Sequence, residues 1–546
     1  MIKDPTNNYI KNGRIDKTAV RTRFSFLITQ KNVDDATRVS HAAEFMYWLL
    51  SSIGNFYNAN VVVSNIKEVY SEEIYYKLKG NKPISIESKN FTQLVGSQMG
   101  IDISVGRAKV VHSMFRIIAV DTAPHVTKCS INLLDPVNYI SYVYNGGDEV
   151  FRLDGEKIVT INNGDEGYLF LGTTQPFRFS QSKVDEGKQL IDNVFEANYD
   201  SSQMDPHASK LISQYWFFSS FFRSIISDRP IAIFCGDKGS GKTHLAREMI
   251  RLATKPDFVV TTMKRNNNDF YAVVANDNIT CFDNFDTATT DEIIDNICSV
   301  STGGGYKARR LYTNLELVDN PVDCFFSFTS RTTKFREDVI DRALMVHMAR
   351  RRSFGGSSAV KVEDHWDTMR SALLVMLNEM VAQLKMTQNV QAPGSEFRMS
   401  EWASFVYRIN PKHYNVIISA NVNKQKQTNA ENCDWVHIFR DIVVSNGFVN
   451  GVTAEKLQQS LVQYSKSVAK TIEGSKSTHD LSLTIKKYKD YLKEIGITTS
   501  TKRKRVEGVP TTVWTITVHD QDTSHLKLAS LKIDGEPVSI KKETHS

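Results

Sequence analysis

Gly236-Asp237-Lys238-Gly239-Ser240-Gly241-Lys242-Thr243 is the stretch that decides how this chain is read. It is a complete G-x-x-x-x-G-K-[ST] loop. The residues before it, Ile231-Ala232-Ile233-Phe234-Cys235, predict a short buried strand, and His244 to Ala253 predicts a helix. Strand, glycine loop and helix are the context in which this pattern holds phosphate. The glycines let backbone N–H groups converge on phosphate oxygens with no Cβ in the way. The helix N-terminus adds partial positive charge. Lys242 is placed to reach the β- and γ-phosphates of ATP, and Thr243 to offer its hydroxyl to Mg²⁺. Gly236, Asp237, Lys238, Gly239, Ser240, Gly241, Lys242, Thr243 and His244 are therefore the candidate nucleotide contacts.

Working downstream, Phe258 to Thr262 predicts a second strand and Asn278-Ile279-Thr280-Cys281-Phe282-Asp283-Asn284 a third. An apolar run ending in an acid is the form of a Walker B strand. Asp283 falls at its C-terminal end, where parallel α/β sheets place their ligands, and its role there is to hold Mg²⁺. Thr289 to Ser301 predicts a helix. It runs into Thr302-Gly303-Gly304-Gly305-Tyr306-Lys307-Ala308-Arg309-Arg310, a glycine turn followed by a basic cluster. Cys324 to Ser330 predicts another buried strand, ending in hydroxyls. Thr329 or Ser330 suits a position from which a polar side chain orients attacking water. Arg331, Arg336 and Arg342 follow closely.

The chain's 546 residues suggest roughly three or four domains. A hydrophobic share of 41% and a charged share of 23% are ordinary for globular protein, and the net charge of +6 permits a local basic surface without demanding one. Six cysteines (Cys129, Cys235, Cys281, Cys298, Cys324 and Cys433) include no C-x-x-C pair, which argues against a zinc site of the usual spacing. Cys235, Cys281 and Cys324 sit in apolar runs, as buried free thiols in a reducing compartment do. The start, Met1-Ile2-Lys3-Asp4-Pro5, lacks an apolar signal segment, and no apolar run reaches about 18 residues. A cytoplasmic location without membrane contact is the expectation.

The remaining segments carry weaker signals. Val33 to Tyr57 predicts a helix with the apolar stripe Ala42, Ala43, Phe45, Met46, Leu49 and Leu50. Val110–Val120 and Ser130–Tyr144 are rich in alternating and β-branched residues. Turns at Asn145–Asp148 and Asn162–Asp165 separate short strands at 149–153, 157–161 and 167–171. This is an α+β region, structural or oligomerising, or else a substrate- or partner-binding module. Pro206 to Ile226 predicts an aromatic-rich core helix. Residues 361–387 and Ser400–Ile409 predict a helical lid, with 391–395 a loop and Asn421–Asn429 a polar surface loop or linker. Helices at 435–446, 453–470 and 481–495 precede strands at 497–501 and 511–518. Lys502-Arg503-Lys504-Arg505 lies between those strands, forming a hairpin with a basic tip. Three helices and such a hairpin describe a winged helix. Lys486, Lys487, Lys489 and Lys493 lie on its third helix, and together these cations suit phosphate neutralisation. A solvated basic hairpin on a protein-binding winged helix is the alternative. Residues 521–546 read as a loosely ordered tail.

The phosphate loop, the Asp283-Asn284 strand end, Thr302–Gly305 with Arg309 and Leu311-Tyr312, and the Asp341-Arg342 pair occur in this order. Together they resemble the helicase-like AAA+ ATPases of phages, plasmids and other mobile elements, near superfamily 3 and the D5-type primase-associated helicases. The resemblance covers residues 205–410, including Phe397–Ala403. It implies a ring, hexameric in such relatives, with ATP between neighbouring subunits. It also implies that Arg342, or failing it Arg336, is the finger reaching the next subunit's γ-phosphate, worth on the order of 10³–10⁵ in rate. Lys307, Arg309 and Arg310 would face a channel and grip DNA, single-stranded within it. The plain alternatives are a solvated loop for that cluster, and surface ion pairs with Glu337, Asp338 and Asp341 for the arginines. Two departures stand out. Asn284 occupies the place where many AAA+ proteins have Glu. An amide orients water but cannot take a proton, which implies slow hydrolysis or Asp286 in its place. Thr329 or Ser330 stands where superfamily 3 relatives carry Asn.

The expected fold is a multidomain α/β chain. It has an N-terminal α+β domain (1–204), a P-loop AAA+ core with a parallel sheet (205–350), a helical lid and linker (351–430), a winged helix (431–520) and a tail (521–546). The expected activity is that of a ring-forming ATPase and mobile-element DNA replication helicase. The alternative is a nucleotide-switched assembly protein, loader or defence-system ATPase without unwinding. A phosphate-loop kinase leaves Arg342 and the winged helix unexplained.

Overall fold

The fold is taken from a computed structural model. It describes residues 8–11, 14–60, 72–262, 267–275, 277–285, 291–309, 317–320, 322–350, 360–448, 451–506 and 509–519. A short hairpin, β1 (Ile10–Lys11) against β2 (Arg14–Ile15), leads into α1 (Lys17–Thr29). Asp16 starts this helix because its carboxylate accepts the N–H groups of Thr18 and Ala19. Asp34 caps α2 (Asp35–Ser51) in the same way through Thr37. The stripe Ala42, Phe45, Met46 and Leu49 is buried as expected. The helix stops at Ser51, however, and the chain continues as β3 (Gly54–Asn60), which pairs antiparallel with β4 (Glu72–Leu78); β5 (Ile84–Ser85) follows. Then come α3 (Lys89–Met99) and α4 (Gly106–Thr122). The alternating run at Val110–Val120 lies inside α4. Val111, Phe115 and Ala119 recur every four residues and are buried, so a helical stripe outweighs the β-branching.

After β6 (His125–Cys129) comes a meander of β7 (Asn132–Asp135), β8 (Ile140–Tyr144), β9 (Glu149–Leu153) and β10 (Ile158–Asn162), each antiparallel to the next. β11 (Tyr168–Phe170) returns parallel to β6. Residues 1–204, expected as one domain, contribute to separate cores. Tyr9 to Ala123 supply one cluster, while Leu134, Val143, Phe151 and Ile191 join a cluster that continues through Trp216, Phe234 and Trp402.

The sheet that carries the phosphate loop is built after α5 (Val184–Val194) and α6 (Pro206–Ser219). Its sequence is β12 (Ile231–Cys235), α7 (Lys242–Ala253), β13 (Thr261–Thr262), α8 (Asn267–Val274), β14 (Ile279–Asp283) and α9 (Asp291–Ser301). There follow a hairpin of β15 (Tyr306–Arg309) and β16 (Leu317–Asn320), then β17 (Phe325–Ser330), α10 (Glu337–Ile340) and β18 (Ala343–His347). Among the described residues this sheet is all parallel, in the order β13-β14-β17-β12-β18. Both faces are covered. Ile231, Ile233 and Cys235 enter one apolar cluster, and Ala232 and Phe234 the opposite one. β17 therefore separates the phosphate-loop strand from the Asp283 strand.

α11 (Trp366–Met386), α12 (Ser400–Ile409) and α13 (Pro411–Asn432) complete this region. Asn421–Asn429, expected as a surface loop, lies within α13. Asn421 is fully buried and treats the edge of β18 as a neighbouring strand would. Its amide donates to the Ala343 carbonyl at 3.1 Å and accepts the Met345 N–H at 3.1 Å. Gln425 donates to the Ile340 and Ala343 carbonyls. Polar side chains here close a sheet edge. Lys424, also buried, donates to Gln203 at 2.6 Å. Burial first, and then Lys424, push the nearby His347 imidazole down to about 3.

Compact units divide at residue 425. The second contains α14 (Asp434–Ser445), β19 (Val452–Thr453), α15 (Ala454–Ser467), α16 (Thr478–Lys487), α17 (Lys489–Glu494), β20 (Ile497–Val506) and β21 (Val509–Val518), with sheet order β19-β21-β20. The helix expected at 481–495 is split at Tyr488. The hairpin is longer than expected, since pairing continues to Val506 and Val509. Lys502, Arg503, Lys504 and Arg505 therefore belong to β20. The tail expected at 521–546 lies outside the described residues.

Replacing Asn421 with Ala strips its partner from the buried Met345 N–H of β18, while the Ala343 carbonyl keeps Gln425. We expect a loss of about 2 kcal/mol. Urea unfolding followed by tryptophan fluorescence checks this, and an unchanged midpoint would show that the edge is held elsewhere.

Candidate nucleotide site

β12 ends at Cys235 and the chain turns sharply at Gly236, whose φ is +146°. A Cβ there would overlap the Met348 carbonyl oxygen, so the position is closed to other residues. Gly236 N–H donates to the Ser330 carbonyl at 3.2 Å, and Met348 N–H to the Cys235 carbonyl at 2.8 Å. These bonds seat the loop against the ends of both neighbouring strands. Gly239 and Gly241 have φ of +83° and +92°, which bends the loop over the start of α7. That helix has no side-chain cap, leaving its N-terminal amides to face the loop. Asp237, Lys238 and Gly239 form the exposed crest, Ser240 and Lys242 are buried, and His244 is half-buried against Arg247.

Lys242 folds its ammonium under the loop and donates to the carbonyls of Gly236 and Asp237, the latter at 2.9 Å. Thr243 donates its hydroxyl to Asp283 Oδ1 at 2.9 Å. Thr329 donates to the same oxygen. The Thr329 hydroxyl also accepts the Asn284 N–H at 3.1 Å, and its carbonyl accepts the Phe285 N–H at 2.9 Å. Asn284 holds φ +57°, the left-handed region that Asn tolerates better than most residues. The structure thus brings Lys242, Thr243, Asp283, Asn284 and Thr329 together at the carboxyl end of the parallel sheet. Ser330, the other hydroxyl considered, is turned away, donating to the Thr332 carbonyl at 2.7 Å.

These residues suit a nucleotide with a hard cation. A lysine resting on loop carbonyls and an uncapped helix start fit phosphate. A hydroxyl beside a carboxylate fits Mg²⁺, which takes few protein oxygens and completes its shell from water and phosphate. Among the described residues no group of three or more His, Cys, Asp or Glu side chains forms a metal cage.

The arginines lie elsewhere. Arg336 caps α10 from an exposed position, 40% accessible. It pairs with Asp338 at 2.8 Å, Asp295 at 3.0 Å and Asp291 at 3.5 Å, and the Asp338 bond above all raises its pKa. Arg342 is only 9% exposed and donates to the Asp338 carbonyl. Asp286 and Arg310 lie outside the described residues, as do the side chains of Lys307, Arg309, Lys504 and Arg505. Lys486 and Lys487 are exposed on α16, with Lys487 held by Glu473 at 2.8 Å. Lys502 and Arg503 are exposed on β20.

Sequence reading missed Arg370. It is fully buried in α11 and donates to the Leu252 carbonyl at 2.9 Å and the Ala253 carbonyl, closing the carboxyl end of α7. Its guanidinium lies 5.2 Å from the ring centres of both Phe177 and Trp366, and burial pushes its pKa down to about 10. The available signal was its register, one residue after Met369 and three before Leu373, inside the apolar stripe.

No family model matches the chain, and no curated protein matches it. Among solved structures, the chain is similar to the apo NrS-1 C-terminal region, at 13% identity over 86% of this chain and 98% of that one, with a TM-score of 0.41. A full-length MCM homolog from Methanopyrus kandleri matches at 11% identity over 55% and 75% of the two chains, TM-score 0.26. The JCV helicase matches at 10% over 46% and 72%, TM-score 0.20. All three fall below 25% identity and below a TM-score of 0.5, too distant to transfer an activity. No helix among the described residues is long and apolar enough to cross a membrane.

Gly236→Ala should move the loop, since the new Cβ meets backbone. Affinity for a non-hydrolysable ATP analogue, measured by titration calorimetry, is expected to fall about tenfold or more, or about 1.4 kcal/mol. Circular dichroism should stay unchanged. Unaltered binding would mean that the loop opens differently when phosphate arrives.

Proposed function

We propose that this chain is an ATP-hydrolysing AAA+ motor acting on nucleic acid, assembled as a ring in which ATP lies between subunits. The observation that carries the reading is the convergence of Thr243 and Thr329 on one oxygen of Asp283, beside Lys242. Mg²⁺ bound there supplies charge neutralisation for the phosphates. Lys242 leaves its carbonyl partners to hold the β- and γ-phosphates, and Asp283 with Thr243 anchors the cation. Thr329 fixes the Asp283 carboxylate, and Asn284 orients water without accepting its proton.

Exposure favours Arg336 over Arg342 as the finger. Arg336 stands at the surface, where a neighbouring subunit could approach, though three carboxylates must release it. Arg342 serves α10. On this reading the basic cluster Lys307, Arg309 and Arg310, which follows the glycine turn, contacts DNA. The second unit acts as a winged helix, presenting Lys486, Lys487 and the basic stretch 502–505 to phosphates. The order helix, strand, helix, helix pair and hairpin supports that assignment. Replication of a mobile element is the setting that the motif resemblance favours.

Asn284 favours a second reading, a nucleotide-switched assembly protein with slow turnover. The two readings separate in one experiment: ATP hydrolysis with and without single-stranded DNA, alongside sedimentation with ATP. The motor reading expects DNA-stimulated hydrolysis and duplex unwinding. Arg336→Ala should then bind ATP normally but lose on the order of 10³-fold in rate. Arg342→Ala should lower thermal stability instead. Hydrolysis indifferent to DNA, with ATP-dependent oligomers, would select the switch.

Thr329→Val keeps the shape of the site and removes the hydroxyl from Asp283. It should lower kcat by about tenfold or more, with little change in KM for ATP. An effect confined to KM would place Thr329 in binding alone.

A further inference from the structure

We propose that the solvent face of α1 docks a single nucleic-acid strand, giving the N-terminal region a nucleic-acid contact of its own. Between Arg14 and Lys31 the chain carries five cations (Arg14, Lys17, Arg21, Arg23 and Lys31) against the single carboxylate of Asp16. Asp16 is already committed to capping the helix. The 13 residues of α1 span about 20 Å. Val20, Phe24 and Leu27 face inward. The short side chains Thr18, Thr22 and Ser25 line the exposed face, with Lys17 and Arg21 along one edge and Phe26 and Arg23 along the other, so a backbone can lie between them.

Phe26 marks the partner as more than a generic polyanion. It is 51% exposed, with the Arg23 guanidinium 5.5 Å from its ring centre. An exposed aromatic ring beside cations is the arrangement on which unpaired bases stack while phosphates meet positive charge. α4 adds cations at the end of α1, beside the Lys17–Arg21 edge. Arg107 donates to the Ile28 carbonyl at 2.8 Å, which sets the start of α4 beside the end of α1, and Lys109 is exposed there. Two described carboxylates nearby are occupied: Asp34 caps α2, and Asp35 pairs with Arg107 at 2.7 Å and Arg38 at 3.5 Å. Arg21 uses its Nε on the Gly100 carbonyl at 2.6 Å, which fixes the side chain in place.

The inference shares a nucleic-acid partner with the proposed motor but needs neither ATP nor turnover, so the two can fail separately. The test uses the full chain without nucleotide and a fluorescein-labelled oligo(dT) of about 20 nucleotides, read by anisotropy at low salt. Phe26→Ala is expected to raise Kd about fivefold or more, the loss of a stacked base. Lys17→Gln is expected to reduce the slope of log K against log salt by about 0.7, one phosphate contact. Both residues are exposed, and melting curves matching wild type confirm the fold. A 5-bromodeoxyuridine strand, irradiated, is expected to cross-link within residues 14–31. Unchanged binding in both variants, cross-links only elsewhere, or equal displacement by polyglutamate would overturn the proposal, the last in favour of an acidic protein.

Discussion

One carboxylate oxygen, Oδ1 of Asp283, accepts hydroxyls from two directions, and the geometry of the candidate nucleotide site depends on that meeting. Thr243 arrives from the first turn of α7 and Thr329 from the end of β17. The strand order makes this possible. Because β17 lies between β12 and β14, its terminal hydroxyl stands between the loop and the acid. Had β14 paired directly with β12, Thr329 would sit outside the acid and no such triangle would form. The sheet's order and the site's chemistry are thus a single constraint, enforced by strands buried on both faces.

Much of this was legible from residues alone, for a physical reason. Ile231–Cys235, Ile279–Asp283 and Phe325–Ser330 are short, mainly apolar runs ended by glycine, acid or hydroxyl, and such runs have few alternatives to a buried parallel strand. Their spatial order is not written in any one of them. α4 was obscured because Val110, Val111, Ile117, Ile118 and Val120 suggest a strand, while the deciding stripe of Val111, Phe115 and Ala119 is only three residues long. α13 was obscured because Asn421 and Gln425 look like solvent-facing residues, and their use as substitutes for a missing strand appears only once β18 is in place.

Among candidate residues, those bound to the glycine loop were readable because their spacing along the chain sets their spacing in space. Arg336 and Arg342 were not separable that way. They are six residues apart, yet one is exposed among carboxylates and the other is buried against the preceding helix α10. Arg370 was hidden for a related reason. A cation within an apolar stripe reads as an exception until the carbonyls at the end of α7 are seen to receive it.

The left-handed backbone at Asn284 limits which side chains that position accepts. In that conformation a longer, unbranched acid such as glutamate crowds its own carbonyl, at roughly 1 kcal/mol or more. Amide and torsion at this position are therefore coupled, and placing an acid there alone would strain the turn. A carboxylate at this position would call for a different peptide plane between Asp283 and Phe285 as well.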